Sequence, residues 1–390
     1  MKEDWNILSL GDCFEYIRNG ANIKQEKGAG GIPITRIETL AGGVFNRDRL
    51  GYADIKSSEK YASYILESGD LLFSHINSKA YIGRTVLYEK EGGEIIIHGM
   101  NLLRMKVIPD VVIPKFIFYS FKSQYFREQV ASYRKDAVNQ SSISVGDLKK
   151  IQIAVPSIST QRRIVAELDL LSGVIEKKNA QLRTLDELAN TLFYEMFGNP
   201  VSNDKAWASE KMKDIAPQKA YSGHIPANNG MQWLLNLDMV ESQTGKIIEK
   251  VLFSSADIGN STTTFSEDNI LYSKLRPYLN KVVIPDEPGY CTSELVPLLP
   301  KKGVINRIFL AYLLRSKFFV DYINTRVAGA KMPRVAMSDF WEFDVIIPPL
   351  KLQESFAEKI SAIEKQKSHI RRSLSPAENL LAARMDKYFC

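Results

Sequence analysis

Two stretches of this chain lie over each other without a gap at an offset of 192 residues, and no other feature limits its fold as much. Ser144–Pro156 and Ala336–Pro348 place Asp147 on Asp339 and Pro156 on Pro348. The register continues through Gln161/Gln353, Leu182/Leu374 and Leu188/Leu380 to Phe197/Phe389, with apolar residues matched at Ile164/Phe356, Leu168/Ile360 and Leu171/Ile363. Upstream, Trp5–Asp12 pairs with Trp207–Asp214 at an offset of 202. Between these ends, Leu71–Ser74 resembles Ile270–Ser273 at 199, and Phe116–Phe121 resembles Phe309–Leu314 at 193, so the halves differ by insertions in their middles. A repeat this long requires two units, each burying a core of its own, for which 390 residues suffice.

Each half reads as a mixed domain followed by a helix, which makes the fold class α+β. Glu94–His98, Leu102–Val107 and Lys281–Ile284 have strand composition between turn-forming residues. Segments 114–130 and 306–323 alternate apolar and polar residues at helical spacing. Ile164, Leu168, Leu171, Ile175, Leu182, Leu185, Ala189, Leu192 and Met196 recur at steps of four and three, interrupted by Lys178. Phe356, Ile360, Ile363, Ile370, Leu374, Ala377, Leu381 and Tyr388 repeat the pattern, interrupted by Lys367 and Arg384. Such a heptad seam predicts two coiled-coil helices. Pro376 should kink the second or restart it, with Ser375 and Glu378 as the new cap.

Composition narrows the function. The chain is 45% hydrophobic, 25% charged and 10% aromatic, as expected of a globular protein that folds throughout. No apolar run approaches the roughly 20 residues that cross a bilayer, and Met1–Trp5 opens with mixed charge, so a cytoplasmic location is expected. Cys13, Cys291 and Cys390 are too scattered for a zinc knuckle and odd in number, which predicts reduced thiols. His75, His98, His224 and His369 lack metal-binding spacing, and structural or surface roles are expected of them. Gly28–Gly31 is a turn without the Lys-Ser/Thr of a P-loop. Gly198-Asn199-Pro200-Val201 lacks the aromatic that an adenine methyltransferase's Asn-Pro-Pro-Tyr/Phe requires. No cofactor, metal or catalytic residue is therefore expected. The net charge of +6 is a mild excess, so a surface for a polyanion has to come from local clustering.

Two halves, each closed by Asp, then Leu or Phe, seven residues, Pro, four residues and Gln, and each followed by a long heptad helix, resemble the specificity subunits of type I restriction-modification systems. The resemblance covers essentially the full chain. It implies target-recognition domains at 1–155 and 201–347, spacer helices at 156–200 and 348–390 packed antiparallel, and partners in double-stranded DNA, two modification subunits and restriction subunits. A helix over 161–197 would span roughly 50 Å at 1.5 Å per residue, more than one DNA turn of about 34–36 Å.

The densest candidate DNA-facing cluster is Tyr272–Lys281, with Lys274, Arg276, Tyr278 and Lys281; its counterpart, Phe73–Arg84, carries Lys79 and Arg84. A second pair precedes the long helices: Arg134–Ser142, with Arg134, Asn139 and Gln140, and Arg326–Arg334, with Lys331 and Arg334. Cations neutralise phosphates, whereas Arg, Asn and Gln also match guanine and adenine edges. The plainer reading is that both are solvated turns. Gln161 and Gln353 are expected to cap their helices. A self-sufficient nuclease or methyltransferase with an unrecognised site, or a protein-binding coiled-coil scaffold, are the alternatives.

Overall fold

The computed structural model describes residues 5–26, 30–138, 140–254, 258–259, 261–329 and 331–390, and its fold is α+β. The turn expected at Gly28–Gly31 falls largely outside the described residues. Two compact units divide the chain: Met1–Lys178 with Arg372–Cys390, and Asn179–Arg371.

The ends of each repeat are strand partners. Asn6–Ser9 runs antiparallel to Gln152–Val155 in the first unit. Ala208–Lys211 runs antiparallel to Asp344–Ile347 in the second. The Trp-led opening and Asp-led close of each half thus form the same two-stranded element twice. Inside the first unit, Phe14–Asn19, Leu103–Val107, Leu71–Phe73 and Thr85–Leu87 form an antiparallel sheet in that order. In the second, Ile270–Ser273 lies between Val282–Val283 and Leu295–Leu298. The matched strands are buried on both faces: Leu71 and Phe73 belong to one core and Leu72 to another, as Ile270 and Tyr272 are separated from Leu271. The insertions form a further small sheet in each unit, around Gly51–Ala53 in the first and Met231–Leu235 in the second.

Three expected elements differ. The helix at 114–130 is two, Pro114–Ser120 and Gln124–Tyr133, and that at 306–323 is Arg307–Arg315 and Lys317–Asn324. The breaks fall at Ser123 and Ser316, which are extended and whose hydroxyls each accept from an amide three residues on, Phe126 and Phe319, at 3.2 Å. An N-cap serine starts a new helix without leaving its first amides unpaired. Glu94–His98 forms no strand: only Ile97 makes bridges, to Ile34 and Ile65, while the Glu94 carboxylate is taken up by Arg47 and Tyr88.

The long helices run Ile158–Phe197 and Leu350–Phe389, antiparallel within each unit. In the first unit Glu167 meets Arg384 at 2.8 Å and Tyr388 at 2.6 Å, and Lys178 Nζ donates to Ser373 at 2.6 Å. In the second, Lys367 is 4% exposed and reaches Asp186 at 2.6 Å and Glu364 at 2.5 Å. Every charged residue that interrupts the apolar seam therefore has a polar partner on the facing helix. The seam itself is uneven. Ile164 and Leu168 are buried, Leu171 to Leu185 only half so. Beyond them the buried stripe becomes Ala189, Phe193 and Phe197, at steps of four, because this stretch packs on Phe309 and Phe356 rather than continuing as heptads. Phe389 packs on Phe116 in the same way in the first unit. The restart expected at Pro376 does not occur: one helix runs through it, since an exposed ring removes a single donor from a long ladder.

Gln161 and Gln353 do not cap their helices. Both are fully buried. Gln161 Oε1 accepts from Ile113 N at 2.9 Å, and its Nε2 donates to the carbonyls of Val111 and Pro156, both at 2.9 Å. Gln353 repeats the pattern with Asn306 N at 2.7 Å, Val304 at 3.2 Å and Pro348 at 2.7 Å. Each amide joins the first turn of a long helix to the loop that starts the domain's own helix pair.

Replacing Gln161 by Leu keeps the volume and orphans three backbone groups, so denaturant unfolding should show a loss of about 2–5 kcal/mol. Lys367→Met should leave stability within about 1 kcal/mol of the parent, because Asp186 and Glu364 are more than two-fifths exposed and can be hydrated once the ammonium is gone.

Candidate nucleic-acid interface

The two candidate clusters of each half, more than forty residues apart in sequence, are neighbours in space. In the second unit a hairpin pairs Val327–Ala328 with Arg334–Val335, and Gly329, at φ +92°, supplies the left-handed turn that leaves its first strand. Leu275 bridges to Arg334, Val335 N donates to Lys274 O at 2.9 Å, and Arg276 N donates to Pro333 O at 2.7 Å. In the first unit the hairpin Lys135–Asp136 with Ser141–Ser142 is extended by Ile76–Asn77, Ser141 opposite Asn77. Each unit thus presents a hairpin with a basic loop joined to its edge.

The second edge is held in strained backbone. Arg276 and Asn280 both lie in the left-handed region, at φ +49°, flanking the short turn Pro277–Leu279. Non-glycine residues there cost of order 1 kcal/mol or more each, and such strain gathers at functional sites. Gln243 fixes the turn by donating to Tyr278 O at 2.9 Å. Arg276 Nε is buried without a hydrogen-bond partner among the described residues. Tyr278 is exposed, as is Lys331, which has no ion pair among the described residues. Lys274 is half-buried. Arg334 is exposed and paired with Glu294, Nη2 to Oε1 at 2.9 Å.

Other residues of these clusters are committed elsewhere. Tyr272 stacks on Phe340, ring centroids 4.6 Å apart, and belongs to the core. Lys281 Nζ donates to Leu237 O at 2.6 Å, and burial pushes its pKa down against the pull of Asp238. In the first unit Arg134 grips Asp136, Nε to Oδ1 at 2.6 Å and Nη2 to Oδ2 at 3.2 Å. The hydrogen bonds from Arg134 and Ser141 hold the Asp136 carboxyl at about 2. Lys79 is exposed, 3.7 Å from the same carboxylate. Arg84 lies 4.5 Å over the Tyr81 ring and donates to Leu40 O at 3.5 Å. Gln140 is exposed at the hairpin turn, where its backbone pairs with Ala137; Asn139, beside it, lies outside the described residues.

Lys274, Lys331, the half-exposed Arg334 fork and Tyr278 on the second unit's edge, and Lys79, Gln140 and Tyr81 on the first unit's, can neutralise phosphates and donate to base edges. His75 and His98 are buried, and burial lowers the pKa of both, that of His98 to about 3, so neither is charged at neutral pH. Among the described residues no group of three or more His, Cys, Asp or Glu could hold a metal ion, and no helix is long and apolar enough to cross a membrane. Glu294 escaped the sequence reading because the repeat offset of 193 places Asn101 opposite it, so repetition does not flag an acid there.

A family model described as the type I restriction modification DNA specificity domain matches residues 2–187 and 236–375. The putative type I restriction enzyme MjaX specificity subunit of Methanocaldococcus jannaschii is 28% identical, across 97% of this chain and 93% of that protein. The type I restriction enzyme EcoDI specificity subunit of Escherichia coli is 23% identical, across 93% and 89%. Among solved structures, the S subunit of the type I restriction-modification system from M. genitalium matches in fold with a TM-score of 0.60 at 13% identity, covering 100% of this chain and 97% of that one. With its doubled architecture and a family match over most of its length, the chain belongs to the type I restriction-modification DNA specificity family.

Proposed function

We propose that residues 1–155 and 201–347 each read one half of a bipartite DNA target, through the hairpin-and-loop edge that recurs in both. Lys79, Arg84, Arg134, Asn139 and Gln140 serve the first half, and Lys274, Arg276, Tyr278, Lys281, Lys331 and Arg334 the second. Lys281 and Arg84, both committed to backbone carbonyls, would act by shaping the loop more than by touching bases. The recurrence of that edge in both units carries the reading, because two dissimilar sequences share one backbone pairing, Ile76 opposite Ser142 and Leu275 opposite Arg334, with cations and base-matching donors nearby in each. Residues 156–200 and 348–390 act as the spacer, and the doubled helix pair docks two modification subunits, one for each half of the chain.

The chain is the specificity subunit of a type I restriction-modification complex, a DNA-recognising and non-catalytic component whose partners are DNA and the modification and restriction subunits. Its place of work is the cytoplasm, where those partners meet DNA.

The purified chain, given a methyl donor and DNA, should transfer no methyl groups, and methylation should appear when a modification subunit is added; transfer by the chain alone would contradict a purely recognising role. Replacing residues 201–347 with the equivalent half of a relative should change one half of the methylated sequence and leave the other intact, as read by sequencing methylated bases in a host carrying the complex. A simultaneous change of both halves would rule out independent domains.

A further inference from the structure

The geometry points to Glu294 as the residue that positions Arg334 to read a guanine in the half-site served by the second domain. This rests on the assignment of residues 201–347 to DNA reading. Arg334 stands on the second strand of the hairpin, its side chain 50% exposed, and Glu294 on the turn between strands Gly289–Thr292 and Leu295–Leu298 is 25% exposed. Nε lies 3.3 and 3.4 Å from the two carboxylate oxygens and Nη2 lies 2.9 Å from Oε1. All of these bonds use one edge of the guanidinium. The group is planar with five N–H donors in a fixed fork, so one Nη1 hydrogen and the second Nη2 hydrogen remain together on the adjacent outer edge, with the spacing that matches guanine O6 and N7.

Glu294 is itself anchored, since its carbonyl accepts from Lys274 N at 3.1 Å, on the same loop edge that Arg276 N ties to the hairpin through Pro333. The brace and the reader are therefore fixed to one framework, and the arginine meets DNA already oriented. Lys274 and Lys331 flank the pair and suit phosphates, which need charge but no particular edge. The first domain has a similar grip, Arg134 on Asp136, but that guanidinium is only 14% exposed, and the assignment is made for the second domain.

The test uses the full chain assembled with its modification subunit, comparing parent, Arg334→Lys and Glu294→Gln by methylation and by competition binding of duplexes changed one base pair at a time. Arg334→Lys keeps the charge and loses the fork, so discrimination at a single G·C pair of one half-site should fall roughly 10- to 100-fold while the other half-site is read as before. Glu294→Gln should weaken discrimination at that same pair without tightening binding to unrelated duplex. An unchanged motif with Arg334→Lys would make Arg334 a phosphate contact and overturn the inference. Tighter binding to all duplexes with unchanged discrimination in Glu294→Gln would overturn it too, showing a carboxylate that merely masks the arginine. Failure of the domain assignment itself looks different: exchanging residues 201–347 would then leave both half-sites unaltered.

Discussion

A buried carboxamide at the start of each long helix is the interaction on which the architecture depends. Gln161 and Gln353 are fully enclosed and satisfy three backbone groups each, drawn from the helix entry and from the loop ahead of the domain's helix pair. Losing either would leave peptide groups buried and unpaired, which costs more than the bonds themselves contribute. Because every partner is a main-chain atom, the clamp asks for a path of the backbone and for no particular side chain. Domains with dissimilar interiors can be fastened by the same device, as the two halves here are.

The strand pairing that closes each repeat and the aromatic contacts Phe116/Phe389 and Phe309/Phe197 extend this fastening. They also explain why the two ends of the repeat align at different offsets. Opening and closing strands pair with each other inside a half, so the insertions between them can vary without disturbing either.

How much of this was legible in the sequence follows from which signals are local. The repeat showed in the chain's match to itself at an offset of 192, and the α+β class and both long helices could be read from periodicity, which depends on neighbours a few residues apart. The breaks at Ser123 and Ser316 were missed because the apolar pattern carries on across them; only a serine three residues before a phenylalanine marked the cap. The clamp role of Gln161 and Gln353 depends on loops about fifty residues away, which no local pattern records. The candidate edge was found in pieces. Its clusters were visible as basic, amide-rich stretches, whereas their adjacency and the carboxylates Asp136 and Glu294 that hold Arg134 and Arg334 emerge only from the fold.

The charges inside the helix seam carry a separate meaning. Lys367 is paired both with Glu364, one turn back on its own helix, and with Asp186 on the facing one. Were the helices to slide by a turn, Glu364 would travel with the lysine, but Asp186 would be replaced opposite it by Leu182 or Asn190. An enclosed ammonium that loses one of its two carboxylates forfeits a charge-assisted hydrogen bond worth about 1.5–3 kcal/mol, whereas apolar neighbours would accept the slip at little expense. The lysine thus acts as a detent: it adds little to how strongly the helices hold and much to where along each other they stop.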